Sequence, residues 1–241
     1  MADKPSPSGR GWDEGSRVAL YYAPDPDDPL WRAGCAWLGR DPETDAALPQ
    51  PDLPDIASVT ADARLYGWHC TLKPPMRLAT SYAAFRSDVA ALARSLRAFE
   101  MPPLAVADLS GFLAVRETRP SPELQALADA CVAWVDHHRL PPNEAELARR
   151  RQNGLSPEAE ALLERWGYPG VFARWRFHMT LTRRLTPEEH AIYRPATEAH
   201  LEAALAHPRR VTSLCIYTQA APGAPFLISE RVPFAGGRPC S

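Results

Sequence analysis

The chain has 241 residues, 45% of them hydrophobic and 23% charged, which are ordinary proportions for a globular protein with a substantial buried core. Because 27 Lys and Arg residues are balanced by 29 Asp and Glu, the net charge is −2, and no overall field attracts the protein to nucleic acid or to an anionic membrane. Phosphate recognition therefore has to be local, and no stretch is apolar for long enough to span a bilayer.

The amino-terminal residues 1–15 are polar and rich in proline, glycine and charge. They do not resemble a secretory signal, and we expect a disordered lead-in to a single domain at residues 16–241. The cysteines are scattered, odd in number and without a CxxC pair: Cys35, Cys70, Cys131, Cys215 and Cys240. Since the first four stand among apolar residues, buried reduced thiols are predicted, which indicates a cytoplasmic protein.

The first half of the chain alternates between strands and capped helices. Strands are indicated by alternating apolar residues, and helix starts by Asp or Ser at the cap position. The patterns predict, in order, a strand at 16–23, a helix at 28–38, an irregular connection at 39–64, a strand at 66–73 ended by Pro74 and Pro75, a helix at 81–99, and strands at 104–108 and 112–117.

The second half begins with a helical segment and then returns to the order strand, helix, two strands. Capping boxes and proline in the first turn mark the helix starts. The patterns predict helices at 121–138, from 143 onward and at 156–167, then a strand at 174–182, a helix at 186–206, and strands at 211–219 and 226–233.

The functional signal begins in the strand predicted at residues 66–73, YGWHCTLK. Under the alternation of a strand, its apolar side chains fall on one face, and His69, Thr71 and Lys73 fall on the other. Lys73 stands out because the chain has 25 Arg and only two Lys. A compact ammonium next to a His-x-Thr motif is suited to anchor phosphate.

The same pattern recurs at residues 174–182, RWRFHMTLT, where Arg176, His178 and Thr180 share the polar face. The two histidines are 109 positions apart, and the capped helices that follow them begin 105 positions apart. This agreement of pattern and spacing predicts an internal duplication.

The duplication predicts an α+β fold of two lobes, each an antiparallel sheet with outer helices. The first lobe is expected at about 16–120 and the second at about 171–235, joined by a helical connection at about 121–170. If the apolar faces pack on helices, the polar faces meet across a central cleft and bring His69 and His178 opposite each other.

Two facing imidazoles can exchange protons with a reacting phosphodiester. With an ordinary pKa near ~6.5, one takes a proton from the attacking oxygen while the other protonates the leaving oxygen. Thr71 and Thr180 can donate hydrogen bonds to phosphate oxygens, and Lys73 and Arg176 can stabilise the negative charge. The alternative is a metal site, which needs a third ligand on the same face; Cys70 points to the opposite side.

Several motifs resemble those of one family: YGWHCTLKPPMRL, LARRR, WGYPGV and FHMTLTRRL, with the opening RVALYYAP. They are similar to a phosphonate-metabolism-associated family of the DUF1045 type within the 2H phosphoesterase superfamily. The resemblance covers residues 17–233. It implies a LigT-like fold and metal-independent hydrolysis of a cyclic phosphodiester without a cofactor. It also implies acid and base roles for His69 and His178, in unassigned order, and phosphate binding by Thr71 and Thr180.

Further polar and aromatic residues near these motifs are candidates for substrate binding. They are Tyr21, Lys73, Arg77, Arg150, Tyr168 and Arg176. Tyr21 is favoured over Tyr22 because Tyr22 shares an apolar strand face. The alternative for Arg150 is a solvated helix face, since it stands in a run of three arginines.

The predicted substrate is a small cyclic phosphate, which the resemblance connects with phosphonate breakdown. Two alternatives stay open: a 2′,3′-cyclic phosphate at an RNA end, and binding of a nucleotide or RNA end without catalysis. The net charge of −2 argues against RNA, because RNA contacts usually add a basic stripe. The expected partner is therefore a small phosphorylated substrate, with neither a membrane nor an obligate protein partner.

Overall fold

The computed structural model describes residues 15–152 and 154–235. The predicted lead-in up to residue 14 and Cys240 lie outside these ranges. The described strands are β1 Arg17–Tyr22, β2 Cys70–Met76, β3 Phe99–Glu100, β4 Leu104–Leu109, β5 Phe112–Glu117, β6 Met179–Thr180, β7 Arg210–Val211, β8 Ser213–Gln219 and β9 Leu227–Pro233. The described helices are α1 Pro29–Leu38, α2 Ile56–Val59, α3 Ala61–Tyr66, α4 Tyr82–Ser95, α5 Pro122–Val135, α6 Glu144–Arg151, α7 Pro157–Trp166 and α8 Pro187–Leu205, with 3₁₀ turns at Asp136–His138 and Phe172–Arg174.

The strands form two antiparallel sheets, which confirms the predicted α+β class. The larger sheet has seven strands in the order β4-β5-β6-β2-β1-β8-β9, and β3 pairs with β7 in a small second sheet. Helices cover the large sheet: α5 packs on β2, α4 on β9, and α8 on β4, where α8 also contacts α1. The core therefore lies between this sheet and the helices.

The two sequence repeats exchange strands instead of forming one sheet each. β6, from the second half of the chain, pairs with β5 from the first half, while β1 pairs with β8 from the second half. The lobes predicted at 16–120 and 171–235 are therefore interleaved in one sheet. As a result, the two His-x-Thr strands are direct neighbours, with Cys70 opposite Met179.

The helix starts predicted from capping residues are confirmed. Each cap side chain accepts a hydrogen bond from a backbone N–H in the first turn: Asp28, Ser81, Ser121, Asn143, Ser156 and Thr186. Asn143 and Thr186 complete capping boxes with Glu146 and Glu189. A cap of this kind contributes about 1 kcal/mol to stability.

The first His-x-Thr strand begins later and ends later than predicted. The connection at 39–64 contains α2 and the start of α3, which continues to Tyr66, and Gly67 then leaves the helix with φ +79. The strand runs through Pro74 and Pro75, since the register against β1 is irregular there. A bulge tolerates proline because the missing N–H is not needed in the ladder.

The second His-x-Thr strand is shorter than the nine residues predicted. The 3₁₀ turn at Phe172–Arg174 replaces its beginning, and only Met179–Thr180 pairs as β6. Trp175 instead reaches across, where its indole N–H donates to the Thr71 carbonyl at 2.7 Å. The link to β2 is thus made partly by a side chain.

The core contains the four described cysteines as buried free thiols, as the sequence predicted. Trp37 and Trp68 are completely buried, and the indole N–H of Trp37 donates to the Leu181 carbonyl at 3.1 Å. Among the described helices, none has the length and apolar character needed to cross a bilayer.

Candidate active site

A pocket of about 420 Å³ lies where β1, β2 and β6 meet, with α3 and α6 at its border. It brings together all four predicted catalytic side chains and three of the predicted binding residues. Its lining residues are Arg17, Tyr21, Asp62, Ala63, Tyr66, Gly67, His69, Thr71, Pro74, Pro75, Arg149, Arg150, Tyr168, His178 and Thr180.

The register between β2 and β6 explains how the two motifs combine. Cys70 pairs with Met179 in antiparallel register, and both side chains are buried in the core. One step to either side therefore places His69 opposite Thr180, and Thr71 opposite His178, on the face away from the core. The two histidines are diagonal neighbours, which are typically about 7–8 Å apart along such a ladder. Both histidines and both threonines therefore line the same pocket.

The imidazole of His69 is held by two hydrogen bonds. Nδ1 lies 2.8 Å from the carbonyl oxygen of Gly67, and Nε2 lies 3.2 Å from the Thr71 hydroxyl oxygen. Because a carbonyl only accepts, Nδ1 carries the proton in the neutral ring and donates to Gly67. Nε2 is then the unprotonated nitrogen beside Thr71.

Aromatic side chains surround His69 and set its charge state. The ring of Tyr21 stacks on it, with ring centroids 3.8 Å apart and an angle of 20° between the planes. The ring centroids of Tyr66 and Tyr217 lie 6.2 and 5.9 Å from that of His69. Burial is the main cause that lowers the pKa of His69 to about 4; the Gly67 hydrogen bond opposes the shift, and the charge of His178 adds a smaller part of it. His69 is therefore neutral at neutral pH.

His178 repeats the backbone contact of His69. Its Nδ1 lies 2.8 Å from the carbonyl oxygen of Arg176, again two residues earlier in the chain. Its surroundings differ, since its ring and that of Phe112 form a T-shaped pair with centroids 6.3 Å apart, and no tyrosine is stacked on it among the described residues. The duplication thus reproduces the orientation of the two histidines but not their environments.

Tyr21 lies in the pocket wall, as the alternation in β1 predicts. It is the cross-strand partner of Thr71, and its ring is fully buried. The hydroxyl lies close to Thr71 but forms no well-aligned hydrogen bond with any described residue. Burial raises the pKa of this hydroxyl well above its ordinary value, so it stays protonated and keeps a hydrogen to donate.

Arg150 and Tyr168 also line the pocket and contact each other. The Arg150 guanidinium lies over the Tyr168 ring at 4.7 Å from its centroid, which favours the pocket over the alternative of a solvated helix face. Sequence reasoning missed Arg17 and Arg149 as lining residues. Arg17 shares the polar face of β1 with Tyr21, so the same alternation contained the signal.

Lys73 lies outside the pocket, which corrects the prediction that it anchors phosphate. The ladder between β1 and β2 gains one residue on β2 between the Tyr21–Thr71 and Leu20–Lys73 pairs. Since cross-strand partners point to the same face, Lys73 shares the core face of Leu20. Its ammonium is buried there, 2.6 Å from an Asp136 carboxylate oxygen.

Arg77 and Arg176, the other predicted binding residues, do not line the pocket. Arg77 forms an ion pair with Glu146 at 3.2 Å and also donates to the Pro141 carbonyl. It therefore holds α6 in place. Arg176 is exposed, and its guanidinium donates to the carbonyl oxygens of Ala173 and Trp175.

A second group of histidines lies apart from the pocket. His138 is buried and His137 is exposed, and the Nε2 atoms of both lie 3.0 Å from one Asp88 oxygen. These three residues are the one cluster of potential metal ligands in residues 15–152 and 154–235. None of them lines the pocket.

Comparison with known proteins finds close sequence relatives of greater length. The chain is 39% identical over 235 residues to "Ribose 1,5-bisphosphate phosphokinase PhnN" of Janthinobacterium sp. (strain Marseille), with 92% of this chain and 51% of that protein covered. It is 36% identical over 220 residues to the protein of the same name from Laribacter hongkongensis (strain HLHK9), covering 90% and 51%. The chain therefore spans about half the length of the curated relatives it matches.

Solved structures and a family profile also match. Escherichia coli LigT complexed with NADP+ matches at 15% identity and a TM-score of 0.43, with 92% of this chain and 99% of that chain covered. A structure described as a phosphoesterase matches at 13% identity and a TM-score of 0.43, with the same coverage. The profile of the family described as "Protein of unknown function (DUF1045)" matches residues 71–227. Since this match covers more than half of the chain, the protein belongs to the DUF1045 family.

Proposed function

We propose that this protein is a phosphodiesterase that opens a small cyclic phosphate by acid–base catalysis with two histidines, without a metal ion. The observation that carries this proposal is the cross-strand set of His69, Thr71, His178 and Thr180 at one pocket wall. Two ring nitrogens and two hydroxyls around one phosphate-sized space match the requirements of displacement at phosphorus.

The two histidines take different roles in the proposed reaction. His69 is the base, because its lowered pKa keeps Nε2 free to accept a proton. A water oxygen attacks phosphorus while its proton passes to this nitrogen. The ester bond on the opposite side of phosphorus breaks, and the leaving oxygen takes a proton from the imidazolium of His178. The product is a phosphomonoester with one free hydroxyl, and solvent returns both rings to their starting charge.

The threonines and the acid–base pair stabilise different parts of the transition state. Thr180 is suited to donate a hydrogen bond to a non-bridging oxygen, where negative charge increases, and Thr71 can do the same once its hydroxyl turns from Nε2 of His69 to the substrate. General acid–base catalysis is worth roughly 10²–10⁴-fold for each group. The two histidines together would then lower the barrier by on the order of 5–11 kcal/mol.

The names of the relatives suggest the substrate class. Two relatives are named for a kinase of ribose 1,5-bisphosphate, and this chain matches only about half of each. Opening the 1,2-cyclic phosphate of ribose with departure of O2 leaves a 1-phosphate, which is one of the two phosphates of ribose 1,5-bisphosphate. We therefore propose a ribose cyclic phosphate as substrate, in phosphonate catabolism, as the family resemblance implies.

A panel of substrates tests the function against the alternatives. The panel contains ribose 1,2-cyclic phosphate, 2′,3′-cyclic nucleotides and an RNA oligomer with a 2′,3′-cyclic end, each assayed with and without EDTA. We expect hydrolysis of the ribose ester in EDTA, and about 10²–10⁴-fold lower turnover in His69→Ala and His178→Ala. Preference for the RNA end would support the RNA alternative, and binding without turnover would support the non-catalytic one. Activity that EDTA abolishes and zinc restores would refute the metal-independent mechanism.

A further inference from the structure

The pocket lining carries more positive charge than one phosphodiester requires. The lining contains three arginines, Arg17, Arg149 and Arg150, and a single carboxylate, Asp62, in a chain whose net charge is −2. A cyclic phosphodiester carries one negative charge, and the His-Thr set already faces its oxygens. The arginines therefore provide positive charge for a second anionic group.

Arg150 has unused hydrogen-bonding capacity inside the pocket. Its Nε atom is buried and has no hydrogen-bond partner among the described residues, although a buried unpaired donor is costly. Tyr168 stacks on its guanidinium and fixes the plane of the group. A planar guanidinium held in this way is suited to bind two oxygens of one phosphate.

Arg17 is fixed from another side of the pocket. Its Nε donates to the Gln219 side chain at 2.7 Å, and its guanidinium lies 5.4 Å from the Phe226 ring centroid. In the described part of the chain, its terminal nitrogens form no hydrogen bond. Burial lowers the pKa of Arg150, and the charges of Arg149 and Arg17 lower it as well, against the opposing effects of Tyr168 and Glu146. An anion placed among the three would relieve this repulsion.

The helix that carries Arg149 and Arg150 supports a binding role. No residue of α6 is fully buried, so apolar packing contributes little to holding the helix in place. Two ion pairs attach it instead, Arg77 to Glu146 and Arg151 to Glu160. Such a helix adds little to the core, but it brings two guanidinium groups to the pocket.

We propose that Arg17, Arg149 and Arg150 form a second anion subsite, which binds a terminal phosphomonoester of the substrate. This inference rests on the proposed function, because it specifies the substrate as a cyclic phosphodiester with an additional phosphate. For a ribose 1,2-cyclic phosphate, that group is a 5-phosphate. A phosphomonoester carries about −1.5 to −2 charges at neutral pH, which matches the surplus of arginine.

The test compares ribose 1,2-cyclic phosphate with and without the 5-phosphate. The wild-type protein should show at least tenfold higher kcat/KM for the phosphorylated ester, mainly through KM. Arg150→Gln should lower kcat/KM about 10- to 100-fold for that ester and less than about threefold for the other. The matched control is Arg151→Gln, which removes the same charge from the same helix and breaks its exposed ion pair with Glu160, so its loss on the phosphorylated ester should stay within about two- to fivefold. An equal loss on both esters, or no wild-type preference, would overturn the proposal.

Binding of ribose 5-phosphate separates this proposal from the proposed function. Titration calorimetry should detect binding to the wild-type protein and to Arg151→Gln, and about 10- to 100-fold weaker binding to Arg150→Gln. If neither ester is hydrolysed but this binding pattern holds, the proposed function fails and the subsite stands. If the ester without 5-phosphate is hydrolysed equally well and ribose 5-phosphate does not bind, only the subsite fails.

Discussion

Replacing Lys73 by Met should destabilise the protein without affecting catalysis. The Lys73 ammonium is 2.6 Å from Asp136, and their side chains are 1% and 11% exposed. Removing one partner of a buried ion pair typically costs about 3–5 kcal/mol. Asp136 keeps Arg139, whose guanidinium donates to both carboxylate oxygens, so we expect a loss near ~3 kcal/mol. Burial lowers the pKa of Lys73 despite Asp136, so the cost of burying the ammonium offsets part of the attraction in the pair, which also favours the lower end of that range.

Urea denaturation and thermal melting measure this effect. For a domain of this size, a loss of about 3 kcal/mol lowers Tm by roughly 6–12 °C. The double variant Lys73→Met with Asp136→Asn should be no more stable than Lys73→Met, because Asp136→Asn also removes the carboxylate that Arg139 contacts. At a temperature where the variants are folded, kcat should stay within about threefold of wild type. A tenfold drop in kcat with unchanged stability would show that Lys73 acts on the substrate, and would refute the argument from the strand register.

Three further predictions concern the pocket. Since burial lowers the pKa of His69 to about 4, protonation of His69 should not reduce kcat/KM until the pH falls to about 4–5, in measurements between pH 3 and 8. The same shift affects stability. The folded state should lose stability as pH falls from about 6.5 toward 4, because the unfolded chain binds the proton first. A loss of activity centred near pH 6.5 that disappears in His69→Gln would contradict this assignment. Tyr21→Phe removes a buried hydroxyl without a well-aligned partner, so Tm should be unchanged or higher. In the same variant, kcat/KM should fall about 5- to 10-fold, because one hydrogen bond to the substrate is lost. Unchanged activity would place the hydroxyl outside the reaction. Arg77→Gln frees α6 from a partly exposed ion pair and should raise KM about two- to fivefold for the 5-phosphorylated ester alone, whereas a fall in kcat on both esters would indicate a direct role.

Local signals in the sequence determined much of the fold. Every predicted cap is made, because capping depends on a side chain and a backbone N–H only two or three residues away. The His-x-Thr pairs were found for a similar reason, since a period of two places them on one face. The position of Lys73 could not be predicted in this way. A single extra residue in β2 moves it to the face of Leu20, and such a bulge depends on the neighbouring strand, not on the local sequence.

Strand exchange explains why the site needs both halves of the chain. If each half formed its own sheet, each would present one histidine and one threonine. Pairing β6 with β2 instead makes the two motifs cross-strand neighbours, so one phosphate can contact both. The backbone repeats the same Nδ1 contact at each histidine, while Tyr21 stacks on only one of them. The duplication therefore supplies two similarly aimed imidazoles in unequal surroundings, which is the arrangement that the proposed division into base and acid uses.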